Sequence, residues 1–282
     1  MKSSPLIRKL GRLYHSKKAL AIPVTYLILF VTTLFLVAVT YDLAIQRIDA
    51  NSQDLKVSTA QGNMMGLDED LSSVLWQPGS SQTLDFTDSG GQLNIEPTSN
   101  PLSISITDNN ISAIVFNDSV GWVVYELPYS ETADTGLFLR GDERAIVNQS
   151  GFSMTQLCIQ EGAENSEILL RYRPIVSCVA AETQDNETVN DVRIYVIDLN
   201  SSQLIENVTG DVPLKITCES TETSVTNYTI PYQPGTLIVT ANFEDMNGQV
   251  SVPIVPISST SYGAIVNVEL VLCEVQIERW VM

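Results

Sequence analysis

The stretch Ala19–Thr40 reads ALAIPVTYLILFVTTLFLVAVT and contains no charged residue. As an α-helix it would extend ~33 Å, which matches the hydrocarbon core of a bilayer. A cleaved secretory signal peptide has a shorter apolar core, followed by small residues at its exit. The stretch therefore predicts a helix that anchors the chain in a membrane.

The charges around this stretch predict its orientation. Six of the 15 basic residues lie in the first 18 positions, and all 33 acidic residues lie at Asp42 or beyond. Because basic flanks stay in the cytoplasm, we expect a single-pass protein of the cell membrane with a cytoplasmic N-terminus and an extracellular C-terminal part. The net charge of -18 also argues against nucleic-acid binding, since an acidic surface repels phosphates.

An amphipathic pattern follows the apolar stretch. No proline occurs from Asp42 to Trp76, and apolar residues recur there at several spacings of three, four or seven: Leu43, Ile45, Ile48, Leu55, Leu67, Leu71, Val74 and Leu75. We predict one helix from about Ala19 to about Trp76, which Pro78-Gly79 ends. Its apolar stripe needs a cover, either the chain's own head or a second copy of the helix.

From Ser80 onward, short apolar runs alternate with turn residues, which is typical of β-structure. Two hairpins are predicted, Thr83–Phe86 with Leu93–Glu96 and Leu102–Ile106 with Ile111–Phe116. Further strands are predicted at Trp122–Leu127, Gly136–Leu139, Met154–Ile159, Ile168–Tyr172, Val192–Leu199, Leu214–Cys218, Thr236–Ala241, Val250–Val255 and Ile265–Ile277. The fold class is therefore α+β, with a transmembrane and amphipathic helix followed by an all-β, sandwich-like head.

The polar run Thr183–Asn190 is the best internal boundary of the head. It divides the head into a first β-rich region at 80–182 and a second at 191–282. A single sandwich that includes both regions is the alternative. Within Ile265–Ile277 the apolar residues shift from even to odd positions, which a bulge or a strand buried on both faces would explain.

The leader, helix and head together resemble type IV pilin-like proteins with class III signal peptides, particularly the archaeal ones. In that family a Lys/Arg–small pair precedes the hydrophobic helix, and the matching pair here is Lys18-Ala19. The resemblance implies cleavage after Ala19, so that a basic leader at 1–19 is removed and Leu20 begins a mature helix at 20–76. It also implies a membrane aspartyl prepilin peptidase as partner and assembly of the helices into a filament or pseudopilus. Val24 stands where bacterial pilins carry glutamate, and Ala19 replaces the commoner glycine.

The alternative function is that of an uncleaved single-pass protein whose extracellular β-sandwich binds a surface polymer, an envelope layer or a partner protein. Homo- or hetero-oligomers through the N-terminal helix are expected only of the pilin-like subunit. An enzyme is not predicted, because the single histidine, His15, precedes the anchor and leaves the acidic part without Ser-His-Asp or His-ligated metal chemistry. We predict no catalytic residue, metal or cofactor.

Two acidic stretches look like metal ligands at first sight. We interpret Asp68-Glu69-Asp70 as a solvated charged face of the helix and Asp245-Met246-Asn247-Gly248 as a hairpin turn.

Cysteines and sequons complete the set of candidate site residues. Four cysteines permit two disulfides in three connectivities; pairing within each half of the head gives Cys158–Cys178 and Cys218–Cys273, and buried free thiols are the alternative. Seven N-x-Ser/Thr sequons, all on the extracellular side, indicate a surface glycoprotein: Asn110, Asn117, Asn148, Asn186, Asn200, Asn207 and Asn227.

Overall fold

The computed structural model describes residues 6–109, 111–128, 135–149, 153–162, 165–182, 187–201, 205–231, 235–257 and 263–280. Side chains are described from Pro23 onward, except for that of Glu182. The fold is α+β: one long N-terminal helix precedes an all-β head of two curled sheets. The chain divides into two units, Met1–Asp54, which is helical over its described part, and Leu55–Met282, which holds the end of the helix and the head.

Helix α1 extends from Leu6 to Val74. The prediction placed its start near Ala19, but the basic leader is rich in leucine, lysine and arginine, which are good helix formers. Val74 ends the helix two residues before the predicted Trp76. There Trp76 adopts a left-handed φ of 65°, and the Ser80 hydroxyl donates a hydrogen bond of 3.0 Å to the Val74 carbonyl, which the helix itself leaves unpaired.

The head contains fourteen strands in the described part of the chain. Their bounds are β1 Ser81–Phe86, β2 Gln92–Thr107, β3 Ser112–Glu126, β4 Leu137–Arg140, β5 Val147–Asn148, β6 Thr155–Glu161, β7 Ser166–Tyr172, β8 Ile175–Glu182, β9 Thr188–Asn200, β10 Ile205–Val208, β11 Val212–Ile230, β12 Thr236–Asn242, β13 Asn247–Pro253 and β14 Ala264–Arg279. A six-stranded sheet has the order β1-β11-β14-β9-β8-β5. An eight-stranded sheet has the order β13-β12-β2-β3-β7-β6-β4, with β10 also paired to β2.

The strand pairing corrects one predicted hairpin and confirms the other. Strand β1 does not pair with β2 but with β11, so that Phe86 lies opposite Val212. The residues between β1 and β2 form a local turn instead, in which the Asp88 carboxylate accepts from the backbone N–H of Gly90. The second hairpin is present as the antiparallel pair β2–β3.

The two predicted head regions do not form separate sheets. Strands from both regions lie in each sheet, since β11 pairs with β1 and β12 pairs with β2. Residues 183–186 of the predicted boundary lie outside the described residues, and Thr188–Asn190 begin strand β9. The head therefore has the interleaved topology of a single sandwich, the alternative to two sequential ones.

Two large apolar clusters fill the head. The helix-side cluster contains buried residues of α1, and the distal cluster contains none. The predicted shift of apolar positions in β14 reflects this division: Val266 and Val268 belong to the distal cluster, whereas Cys273 and Val275 belong to the helix-side cluster. Because neighbouring positions on a strand face opposite ways, the two clusters lie on opposite faces of β14.

The two sheets come into close contact between these clusters, at Gly121 of β3 and Leu199 of β9. A Cβ at position 121 would lie 1.8 Å from the Leu199 carbonyl oxygen, so only glycine fits. The backbone N–H of Gly121 donates a 3.1 Å hydrogen bond to the Asp198 carboxylate, which joins the sheets at this seam. Burial, and to a smaller degree the nearby Glu274 and Asp118, raises the pKa of Asp198 to about 6.

This raised pKa makes the stability of the head depend on pH. Between about pH 4 and about pH 6 the folded state holds a proton on Asp198 that the unfolded chain has released. The free energy of unfolding therefore falls as pH rises through this range. We expect Asp198→Asn to raise the free energy of unfolding by about 1–2 kcal/mol at neutral pH and to change it little at about pH 4. The amide oxygen can still accept from Gly121.

Urea unfolding of the full chain in detergent, followed across this pH range, measures the effect. Asp85→Asn removes the same charge from an exposed position and serves as the control. A pH slope that is the same in Asp198→Asn and in the unchanged protein would contradict the expectation.

Candidate functional site: the apolar helix and its seat in the head

Helix α1 contains a span that is long and apolar enough to cross a membrane, with a mean hydropathy of 2.2 in its most apolar window. None of the residues in that window is buried in the described chain. Large apolar side chains are exposed throughout, among them Leu27, Leu29, Phe30, Phe35 and Leu36. Exposed apolar surface on this scale needs a lipid environment or another apolar surface to cover it.

The predicted processing residues lie within this helix. Lys18, Ala19 and Leu20 are helical, and their side chains are outside the described part. Pro23 also lies inside the helix. The predicted cleavage point therefore lies in helical backbone, and processing itself stays a prediction.

A buried stripe replaces the exposed surface in the C-terminal part of α1. Six residues repeat at spacings of three and four and belong to the helix-side cluster: Val57, Ala60, Met64, Leu67, Leu71 and Val74. Full burial of a large apolar side chain contributes roughly 1.5–3 kcal/mol, so this stripe holds the helix segment firmly in the head. Leu67, Leu71 and Val74 confirm the predicted stripe, whereas Leu43, Ile48 and Leu55 are exposed.

Asp68 is a charged residue within this buried face, with a side chain only 1% exposed. One carboxylate oxygen accepts hydrogen bonds of 2.8 Å from the Thr155 hydroxyl and 2.8 Å from the Tyr172 hydroxyl. The other accepts from the Arg140 guanidinium at 2.6 Å. Burial, followed by the charge of Asp68, raises the pKa of Tyr172 well above its usual range, which keeps this hydroxyl a donor.

These four residues, the Asp68 cluster, tie α1 to the eight-stranded sheet at strands β4, β6 and β7. The interpretation of residues 68–70 as a solvated face is wrong for Asp68, although Glu69 is exposed. A signal for its burial exists in the sequence, because Asp68 follows Met64 by four residues and precedes Leu71 by three. The position therefore falls on the same stripe as the buried apolar residues.

Two further contacts hold the seated helix segment, residues 57–74, one within it and one just beyond its C-terminal end. The Asn63 amide donates a 2.7 Å hydrogen bond to the Thr87 carbonyl. At the helix exit, the Trp76 ring meets the Tyr195 ring edge-on, with centroids 5.4 Å apart. The segment is thus fixed by apolar packing along its length and by polar contacts at intervals.

The other buried charges of the head also have structural partners. Arg173 is 1% exposed, and its guanidinium donates to the carbonyls of Ser153, Asp142 and Arg144 and to the Asp142 carboxylate. Hydrogen bonds from Arg144 and Arg173 hold the pKa of Asp142 well below its usual range. Arg171 pairs with Asp245 at 2.7 Å in the turn between β12 and β13, which confirms the predicted hairpin there.

The described residues contain no group of three or more histidine, cysteine, aspartate or glutamate side chains arranged to hold a metal ion.

No disulfide bond links any two of the four cysteines in this structure. The sulfurs of Cys218 and Cys273 lie 3.6 Å apart in the helix-side cluster. Cys158 belongs to a small separate cluster with Val124 and Leu169, whereas Cys178 packs against the distal cluster. The structure therefore brings one of the two predicted pairs together and not the other.

Five of the seven sequon asparagines lie in the described part of the chain, and all five have exposed side chains: Asn117, Asn148, Asn200, Asn207 and Asn227. Asn110 and Asn186 lie outside the described residues. Exposure leaves room for a glycan, and glycosylation stays a prediction.

Comparison of the chain with protein-family models, curated proteins and solved structures found no match.

Proposed function

We propose that the chain is a pilin-like structural subunit, anchored in the cell membrane by α1 and assembled through that helix into a surface filament or pseudopilus-type assembly. The observation that carries the proposal is the change of surroundings along one helix. Its apolar side chains are exposed from Val24 to Val39, whereas the stripe from Val57 to Val74 is buried by the head. An exposed apolar helix joined to a β-rich head is what helix bundling in a membrane or a filament core requires.

The charge distribution supports an exported head. The basic residues before the apolar stretch and the acidic residues after it favour a cytoplasmic N-terminus. In this proposal a membrane prepilin peptidase cleaves after Ala19 on the cytoplasmic side, so that Leu20 begins the mature helix. Glycans at the exposed sequon asparagines would then decorate the outer surface.

A second candidate is an uncleaved single-pass protein with an extracellular β-sandwich that binds a surface partner. One observation favours it: the head covers the Val57–Val74 stripe by itself, so that stripe needs no second copy of the helix. Such a protein would use α1 only as an anchor, and any apolar helix of similar length would replace it.

The N-terminal residue of the protein isolated from its native membrane separates the two candidates. We expect mass spectrometry to find Leu20 at the N-terminus, and Lys18→Glu and Ala19→Arg to abolish this processing because each changes the pair that precedes the cut. Lys9→Glu makes the same charge change away from the cut and should still yield Leu20. An N-terminus that stays at Met1 or Lys2 in the unchanged protein, together with a monomer in detergent, would overturn the pilin-like proposal in favour of the second candidate.

A further inference from the structure

Cys218 of β11 and Cys273 of β14 meet inside the helix-side cluster, and both are fully buried. They are not directly opposite in the strand register, because Cys218 faces Val275 and Cys273 faces Thr221. A bulge in β11 between Cys218 and Ser220 shifts the register at this point. The sulfurs lie 3.6 Å apart, so a relative movement of about 1.5 Å would bring them to the ~2.05 Å of a disulfide bond.

This cysteine pair lies where the chain leaves the helix. The backbone N–H of Trp76 donates to the Cys273 sulfur at 3.5 Å, and the backbone N–H of Gly79 donates to the Cys218 carbonyl at 2.8 Å. The backbone N–H of Cys218 in turn donates to the Ser80 carbonyl at 3.0 Å. A covalent link between β11 and β14 would therefore brace the strands to which the helix exit is attached.

We propose that Cys218 and Cys273 form a disulfide bond as the exported head folds, and that Cys158 and Cys178 remain free thiols. The two remaining cysteines lie on strands of different sheets and pack in different clusters. On β6, Cys158 also faces away from Leu157 and Ile159, which point into the helix-side cluster. The proposal rests on the extracellular location in the proposed function, because disulfides form and persist in oxidising compartments.

The reaction is a thiol–disulfide exchange with a small or protein disulfide as oxidant. The thiolate of one cysteine attacks the oxidant to give a mixed disulfide and release one thiol, and the second cysteine then displaces the other thiol. The two cysteine thiols lose two electrons and two protons, and the oxidant's disulfide bond becomes two thiols. Burial raises the pKa of Cys273 to about 11, which disfavours the thiolate that must attack. The bond must therefore form before the cluster closes, and afterwards reductants cannot reach it.

The test uses the full chain in detergent, unfolded, reduced and then refolded with a mixture of reduced and oxidised glutathione. Alkylation of the free thiols and non-reducing peptide mapping then identify the linked cysteines. We expect one bond, Cys218–Cys273, and alkylation at Cys158 and Cys178. Cys158→Ala/Cys178→Ala should refold with no free thiol, and Cys218→Ala/Cys273→Ala should keep both of its thiols free.

Two further measurements complete the test. Folded, reduced protein exposed to the same mixture should form the bond at least ten-fold more slowly than the refolding chain, since both sulfurs are buried. The oxidised chain should unfold at a higher urea concentration than the reduced chain. A Cys158–Cys178 bond, or free thiols at Cys218 and Cys273 after refolding, would overturn the proposal. Reduced thiols at Cys218 and Cys273 in protein from the native membrane would overturn it too. If the bond nevertheless forms on refolding, the wrong premise is the extracellular location assumed in the proposed function.

Discussion

Replacing Asp68 with alanine is expected to lower the free energy of unfolding by about 3–5 kcal/mol, because it removes the acceptor from a buried cluster of donors. The variant leaves the Tyr172 hydroxyl, which is buried with a raised pKa, and the Thr155 hydroxyl without their acceptor. It also removes the buried partner of the Arg140 guanidinium, while the contact of Arg140 to exposed Glu69 remains. Asp68→Asn, which keeps an oxygen acceptor but loses the charge, should have a smaller effect.

Glu69→Ala is the matched control for this prediction. Glu69 is the neighbouring acid, contacts the same Arg140 and is 67% exposed, so its removal should cost no more than about 1 kcal/mol. Urea unfolding of the full chain in detergent, followed by tryptophan fluorescence, measures both variants, since Trp76 lies at the end of the seated helix segment. Equal effects of the two substitutions would show that Asp68 does not tie the helix to the sheet.

The helix and its buried stripe follow from local sequence patterns. Spacings of three and four residues identified Leu67, Leu71 and Val74 correctly, because the periodicity of a helix depends only on neighbours along the chain. The same pattern did not distinguish the exposed Leu43 and Ile48 from the buried residues further on. Which of these residues become buried depends on the part of the helix that the head covers, and local periodicity carries no information about that.

Strand pairing shows the same limit more sharply. The β2–β3 hairpin was predictable because β2 ends at Thr107 and β3 begins at Ser112, so the two strands are close neighbours along the chain. Strand β1 pairs instead with β11, and β14 runs parallel to β9, so both partners are distant in sequence. Strands β5, β8 and β10 were missed. Strands β5 and β10 have two and four residues, which are too few for alternation to be recognised, and the eight residues of β8 do not alternate strictly.

Within the candidate site, the residue type of Asp68 predicted exposure, whereas its position on the stripe predicted burial. An acidic triplet on a helix is usually solvated, and that expectation outweighed the register with Met64 and Leu71. The Asp68 cluster also required Arg140, Thr155 and Tyr172, which come together only when β4, β6 and β7 are adjacent. Buried polar groups of this kind depend on tertiary contacts and are therefore the hardest to infer from sequence.

Gly121→Ala is expected to destabilise the head by more than about 3 kcal/mol, because the added methyl group has no room between the two sheets. Its Cβ would lie 1.8 Å from the Leu199 carbonyl oxygen and 3.0 Å from the Pro97 Cα. Both neighbours are backbone atoms, so no side-chain rotation relieves the clash. The sheets would have to separate at the seam, which would also lengthen the hydrogen bond from Gly121 to Asp198.

Gly62→Ala provides a control that is expected to raise the free energy of unfolding. Gly62 is an exposed residue of α1, and a Cβ there meets no atom within 4 Å. Alanine should stabilise the helix by about 0.5–1 kcal/mol through its higher helix propensity. Urea unfolding measures both variants, and a Gly121→Ala protein as stable as the unchanged one would mean that the sheets do not touch at Leu199. The helix-side and distal clusters meet at this seam, so loss of the contact should weaken the packing in both. The packing that holds the helix in the head should weaken as a result.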